Sequence, residues 1–342
     1  MKLRSAFSCR VFSGFAFVIT GLCGTDARAG SLLDSITQEV RAVFERSKNA
    51  VVKIEAVDEH GRLAGTGFFI DPNGTIYTAY TVGGESHDIV VSHGDMKWIA
   101  TRLLGDSRSG IAILKVEAQT PFLPLGKSET LAVASPVIAV GYPMDLPLSP
   151  NFGTVGGFDI VYLGHPFVTA HIRANVPVQR GEGGAPLLNE NGEVVGILIS
   201  SIDSGSGCFA LPIEAAEKVR KDFMRFGEAR PGWLGICVGE APHETEGSLA
   251  LVDDLVEGAP AEKFGVQKGD VLLQIGDKKI TSRLDMLNAS FYITSGDEIP
   301  IAVSRKGEKL SLKVQAADHP SMTHRIAPAA PDVKGIPLSS PH

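Results

Sequence analysis

Residues 181–197 read GEGGAPLLNENGEVVGI. Gly181, Gly183 and Gly184 crowd around a single carboxylate, Glu182. Such a cluster serves either as a tight turn, because glycine tolerates positive φ, or as a set of backbone N–H groups aimed into a cavity. Asn191-Gly192 then signals a hairpin turn, and a β-rich run follows at 194–200. No Ser, Thr or Cys occurs at 176–199, so the glycine cluster lacks a side chain that could attack a substrate. The turn is the favoured reading, with Glu182 expected in water or paired with a cation.

The same period-two pattern extends upstream. Short β-rich runs at 51–57, 67–70, 75–80, 88–91, 111–116, 137–141 and 158–163 are separated by turn signals such as Asp71-Pro72-Asn73-Gly74. Many short strands without helical pattern between them predict an antiparallel barrel or sandwich. Ahead of them Leu32, Leu33, Ile36, Val40, Val43 and Phe44 recur at helical spacing, predicting an amphipathic helix over 31–47. Downstream the pattern turns helical at 212–226, and GEARPGW at 227–233 reads as a linker. Strand-like WLGICV, SLALVDDLV, DVLLQIGDKKI and IPIAVSRKG then surround helical stretches at 260–264 and 282–293, which predicts a small α+β domain. Beyond Ala317, five prolines and little apolar pattern predict a disordered tail. The expected division is 1–29, 30–49 for the helix, 50–228 for the barrel, 231–317 for the second domain and 318–342 for the tail.

Composition bounds what such a chain does. With 342 residues, 44% of them hydrophobic, there is material for about two cored domains. A formal net charge of −7 without a run of either sign gives no basic stripe for nucleic acid and no polybasic membrane patch. Residues 1–29 have the form of a cleavable signal peptide: Lys2, Arg4 and Arg10, an apolar core at 11–23 too short to span comfortably, and Ala27-Arg28-Ala29. The mature chain is therefore expected in a periplasm. Thr20-Gly21-Leu22 before Cys23 is a poor lipoprotein signal. Cys208 and Cys237 remain after cleavage; an oxidising compartment permits a bond between them, but two buried free thiols is the favoured reading. The histidines form no H-x-x-x-H pattern, and His165 with His171 is too sparse a pair for a metal site, so no metal or other cofactor is expected.

Four blocks, in order, carry a family resemblance. GTGFFIDPNGTIYTAYTV at 65–82 is similar to G-S-G-F-I-I-D-x-x-G-x-I-L-T-N-x-H-V-V of the HtrA (DegP/DegQ-type) proteases. LGDSRSGIAILKV at 104–116 resembles their G-x-D-x-x-x-D-I-A-V-L-K-I, and LPLGKSETLAVASPVIAVGYP at 123–143 follows the stretch that ends A-I-G-N-P. The opening stretch, 181–197, resembles G-N-S-G-G-P-L-x-N-x-x-G-x-V-I-G-I. The resemblance implies a mainly β fold: a trypsin-like antiparallel double β-barrel followed by a small α+β PDZ domain. It also implies trimerisation through the region before the barrel.

The departures from those blocks bear on function. Thr81 stands at the family's histidine position, Gly110 at its aspartate and Gly183 at its serine. Acyl transfer needs a nucleophile, an imidazole to carry its proton and a carboxylate to orient the imidazole. Gly183 offers no nucleophile, and a threonine hydroxyl is no base near pH 7. His87 and Asp88 read as solvated loop residues rather than a displaced base. The expectation is a degenerate protease with no catalytic residues, against the alternative of an endopeptidase with rearranged ones.

The second domain keeps more. GWLGI at 232–236 resembles the family's carboxylate-binding loop Y-[IL]-G-[VI], which assigns peptide binding to Trp233, Leu234, Gly235 and Ile236. Successive backbone N–H groups capture a terminal carboxylate there, and the following strand pairs with the peptide. Polypeptide C-termini or unfolded proteins are the expected partners, in a chaperone-like or adaptor role or as a scaffold for one specific partner.

Overall fold

A computed structural model of the chain describes residues 26–202 and 205–320, the side chains of 26–33 and Asp145 excepted. The expected signal peptide lies outside the described residues as far as position 25, and so does the tail beyond 320. Helix α1, Asp26–Ser47, begins earlier than the 31–47 periodicity implied, because Ala27, Arg28 and Ala29 are strong helix formers. Its last turns carry Val43, buried in a core with Val51, Phe68 and Leu188, while Val40 and Phe44 pack beside it.

The alternation of apolar and polar residues becomes two antiparallel β units. The first is a seven-stranded sheet of β1 (Val51–Asp58), β2 (Gly61–Phe69), β3 (Thr75–Ala79), β4 (His87–His93), β5 (Met96–Ile99), β6 (Thr101–Asp106) and β7 (Ile111–Lys115), ordered β5-β4-β1-β2-β3-β7-β6. A single helical turn, α2 (Tyr80–Gly83), follows β3. The second unit is a closed barrel of β8 (Pro136–Gly141), β9 (Ser149–Tyr162), β10 (His165–Asn175), β11 (Pro186–Leu188), β12 (Val194–Ile202) and β13 (Gly207–Pro212), ordered β10-β13-β12-β11-β8-β9. Each unit has its own apolar interior, Val52, Ile54 and Phe69 in the first and Val137, Leu187 and Val195 in the second. A third cluster binds them: Phe68, Tyr77 and Ile113 meet Ile138, Val140, Leu188 and Leu211, with Ile213, Ala216 and Val219 of helix α3 (Ile213–Phe226) on top. Gly227 ends α3, its N–H donating to Phe223 O at 2.7 Å.

The C-terminal unit contains β14 (Gly232–Trp233), β15 (Ile236–Thr245), β16 (Ser248–Leu255), α4 (Pro260–Lys263), β17 (Val271–Ile275), β18 (Lys278–Lys279), α5 (Arg283–Phe291), β19 (Glu298–Arg305), β20 (Glu308–Gln315) and β21 (Ala317–Asp318). Its sheet runs β15-β16-β17-β19-β20, and β14 pairs with β21. Ser282 caps α5 in a reciprocal box with Asp285, satisfying two orphan amides. An ion pair between partly exposed Arg305 and buried Asp270, Nε to Oδ1 at 2.7 Å, ties β19 to the turn before β17.

Two expectations are corrected by these contacts. The 227–233 segment is not a free linker: Arg230 N–H donates to Asp222 Oδ2 at 2.9 Å, Gly232 N–H to Ile293 O at 2.8 Å, and Ser295 N–H to Arg230 O at 3.2 Å. The tail does not begin at 318, since Asp318 pairs with Gly232 in the β14–β21 ladder and accepts a 3.0 Å bond from Arg230 Nε. Asn288 of α5 also accepts bonds from Thr169 Oγ1 at 2.7 Å and Ala170 N–H at 2.9 Å, stitching the C-terminal unit to β10.

Candidate functional site

Strand β3 leads into α2, which sets Thr81 on the surface. The neighbouring Tyr80 N–H donates to Gly110 O at 2.7 Å. Gly110 closes a tight turn between β6 and β7, its own N–H reaching Asp106 O at 3.0 Å and its φ being +81°. Gly183 lies between β10 and β11, and its carbonyl accepts the Thr66 N–H of β2 at 2.9 Å. A Cβ built on Gly183 would meet Val82 Cγ2 at 3.8 Å and Ala79 Cβ at 4.0 Å, the residues flanking the turn that holds Thr81. The fold therefore brings 81, 110 and 183 together. What meets there is one exposed hydroxyl and two glycines.

Neighbouring hydroxyls are committed elsewhere. Thr66 Oγ1 donates to Gly181 O at 2.8 Å while accepting Tyr142 N–H at 3.0 Å, and Thr78 Oγ1 donates to Thr66 O at 2.7 Å. His87 is exposed at the start of β4, its Nδ1 3.3 Å from Asp88 Oδ2. Glu182 N–H donates to Gln179 O at 3.2 Å and Gly184 N–H to Leu198 O at 2.7 Å. The amides of Gly181 and Gly183 have no acceptor among the described residues. The cluster is thus a turn, with Gly181 and Gly184 at positive φ, that also retains two open donors.

Glu182 departs from expectation. It is 1% exposed, with no cation on it; its oxygens accept Asn151 Nδ2 at 2.6 Å and Gln179 N–H at 2.6 Å. Burial raises its pKa, and the two hydrogen bonds only partly oppose this. The space it fills lies beside Gly141, where any Cβ would stand 3.2 Å from Glu182 Cγ. Cys208, also buried, has its thiol pushed up to about 12 by burial and then by the Glu182 charge. Cys208 and Cys237 are both free, but Cys237 is exposed on β15, not buried as expected. His171 is buried against Phe167, ring centroids 4.3 Å apart, and burial lowers its pKa to about 4. No group of three or more His, Cys, Asp or Glu suited to a metal is gathered among the described residues.

The second site is a cavity of about 770 Å³ between β15, α5 and the barrel. Its floor contains the four expected residues, Trp233, Leu234, Gly235 and Ile236. Leu234 O accepts Ala261 N–H at 2.9 Å and Gly235 O accepts Val256 N–H at 2.9 Å, so both carbonyls are tied back into the domain. Their amides have no acceptor among the described residues, the arrangement that backbone capture of an anion needs. Gly235 makes this turn at φ +76°, where a Cβ would strike Ala259 Cβ at 2.2 Å. Leu234 has its side chain buried in the domain core, and Met286 and Leu287 of α5 also line the cavity. The sequence reading missed the barrel's share of this cavity: Leu104, Arg108, Val168 and Lys218 also line it.

Both halves of the chain resemble known proteins. The trypsin-like peptidase domain family matches residues 65–197 and the PDZ domain family residues 233–316. The chain is 33% identical over 323 residues to a protein of Ectopseudomonas mendocina (strain ymp) named "Probable periplasmic serine endoprotease DegP-like", covering 90% of this chain and 68% of that one. A protein of the same name from Pseudomonas fulva (strain 12-X) is 32% identical, with 87% and 66% covered. The chain thus spans about two-thirds of these relatives' length. Among solved structures, the HtrA-type protease AlgW with tripeptide superposes with a TM-score of 0.68 at 22% identity, covering 82% of this chain and 97% of that one. The serine endoprotease from Yersinia pestis gives 0.59 at 23%, covering 82% and 98%. With its mainly β trypsin-like unit followed by a PDZ domain, the chain belongs to the HtrA family of DegP-like periplasmic serine endoproteases.

Proposed function

We propose that this HtrA-family chain binds polypeptide C-termini without cleaving them. The observation that carries the reading is the contrast between its two sites. Where the nucleophile, base and orienting carboxylate would stand, there are Gly183, Thr81 and Gly110, and the nearby Thr66 and Thr78 hydroxyls are bonded to backbone. Loss of the nucleophile or base alone costs about six orders of magnitude in kcat. At the PDZ site the amides of Leu234 and Gly235 remain open beside an apolar wall.

After removal of residues 1–29 the protein acts in the periplasm, holding clients whose C-termini reach the groove or docking one partner. Breadth separates these roles, since a holder binds many unrelated termini and an adaptor one. The test is to incubate the purified mature chain with an unfolded protein substrate and, separately, to titrate peptides ending in an apolar residue. Intact substrate with micromolar peptide binding supports the proposal, a strength on the order expected for a short peptide ordered on a sheet edge. Hydrolysis blocked by a serine-directed inhibitor would establish rearranged catalysis instead.

A further inference from the structure

The PDZ groove is not closed by PDZ residues alone. Its outer wall is the barrel loop that carries the aspartate-position residue Gly110, and Arg108 of that loop lines the cavity. The Arg108 guanidinium stands over the ring of Phe291 at 5.1 Å to the centroid. It makes no hydrogen bond or ion pair among the described residues. The carboxylates closest in charge to it are already engaged. Asp106 accepts Ser109 Oγ at 2.6 Å, and Asp222 holds Lys218 Nζ at 2.7 Å, Thr294 Oγ1 at 2.8 Å and Arg230 N–H at 2.9 Å. Lys218 is thereby neutralised, while Arg108 faces the cavity as a cation with an unfilled fork of donors. Burial of its surroundings lowers its pKa, the direction expected where a charge lacks full compensation.

A peptide added to the edge of β15 alternates its side chains. With the last residue against Met286 and Leu287, the residue before it points away from them, and Arg108 belongs to the part of the lining that the barrel contributes. Resting on the reading that the groove captures C-termini, we propose that Arg108 makes the site selective for peptides with an acidic penultimate residue. A Glu or Asp carboxylate there supplies the direct partner that Asp106 and Asp222, which act on Arg108 only through space, do not give it, and a guanidinium donates to a carboxylate bidentately. The groove is then a joint product of both domains, with the loop of the vanished aspartate reading the ligand.

The experiment titrates the full mature chain with fluorescein-labelled octapeptides. All end in Leu with a free carboxylate, and they differ only in Glu, Gln or Lys at the penultimate position. The Glu peptide is expected to bind about tenfold more tightly than the Gln peptide, the worth of one charge-assisted pair. Arg108→Gln should abolish that difference, so that the variant binds the two peptides alike, and Arg108→Lys should restore part of it. Equal binding of the Glu and Gln peptides to the unmodified chain would overturn the inference, and so would a Glu preference that survives Arg108→Gln or vanishes instead with Arg283→Gln, Arg283 of α5 being another cation that lines the cavity. An amidated peptide separates the two levels: if amidation still weakens binding, C-terminal capture stands though the selectivity fails, and if it does not, capture itself fails.

Discussion

Gly235→Ala is a small change with a calculable effect on the carboxylate loop. At φ +76° an L-residue pays about 1–2 kcal/mol for the left-handed conformation. The new methyl would also lie 2.2 Å from Ala259 Cβ and 3.3 Å from the Trp233 ring. Carbon atoms settle at about 3.5–4.0 Å, so one side must yield by more than about 1 Å. Ala259 is held in place, its N–H bonded to Val256 O at 3.0 Å and the next amide but one, that of Ala261, to Leu234 O at 2.9 Å. The loop therefore moves, and the amides of Leu234 and Gly235 lose their shared aim at the carboxylate. A displacement of that size spoils hydrogen-bond distance and angle together. The expected loss is at least about tenfold in affinity for a free-acid peptide, about 1.4 kcal/mol. Fluorescence anisotropy with free-acid and amidated versions of one peptide reads it: the variant should bind both alike and weakly. Wild-type affinity for the free acid in Gly235→Ala would refute the argument that these two amides capture the terminus.

The remaining predictions concern the barrel. Gly183→Ser should be accommodated, since its Cβ meets nothing closer than 3.8 Å, yet restore no proteolysis by itself. Adding Thr81→His and Gly110→Asp completes the triad's chemistry, but the aspartate enters at φ +81° and should lower Tm relative to the double variant by scanning calorimetry. Glu182, with its pKa raised in the fold, favours the folded state most below the ordinary carboxylate range and loses that contribution as pH rises through its raised value. Glu182→Gln should remove this slope and leave the protein more stable than wild type at pH 7 in urea melts; equal slopes would contradict it. His171, lowered from 6.5 to about 4, acts oppositely: its contribution is complete above pH 6.5 and is lost as pH falls towards 4, amounting to about 3 kcal/mol. His171→Phe should flatten the acid side of the stability profile, and an unchanged acid midpoint would count against a buried neutral imidazole. The two groups act on stability with opposite sign, so only the single variants separate them.

Much of this was readable in the residues, and the omissions have physical causes. The strand at 51–57 shows partial alternation, with Lys53 and Glu55 set between buried Val52, Ile54 and Ala56, whereas 111–116 and 194–200 stood out as β-rich apolar runs, buried at Ile111 to Leu114 and at Val194 to Leu198. The β pattern overlooked His165–Asn175 and Gly207–Pro212, the first broken by Pro166 and two histidines, the second buried at every position and so without alternation. That Thr81, Gly110 and Gly183 belong to one site was implied by the resemblance of their blocks to the HtrA family, not by spacing. The inward turn of Glu182 was not, since it depends on room beside Gly141 and on Asn151, both distant in sequence. Trp233 to Ile236 were assigned through resemblance to the family's carboxylate-binding loop, and the fold sets all four in the lining of the cavity. Arg108 was invisible as a groove residue because docking of the two domains, through Asn288 and Arg230 among others, places it there.

The central claim is that the chain binds termini and leaves them whole. One measurement addresses both halves: an apolar-ended, free-acid octapeptide joined to an unfolded protein segment is held with excess purified mature chain, complex formation is followed by anisotropy, and the recovered substrate is weighed by intact mass spectrometry. The account predicts saturable binding that amidation weakens and a substrate of unchanged mass after prolonged incubation. Fragments that accumulate in proportion to the protein added, and that cease with a serine-directed inhibitor, would contradict it.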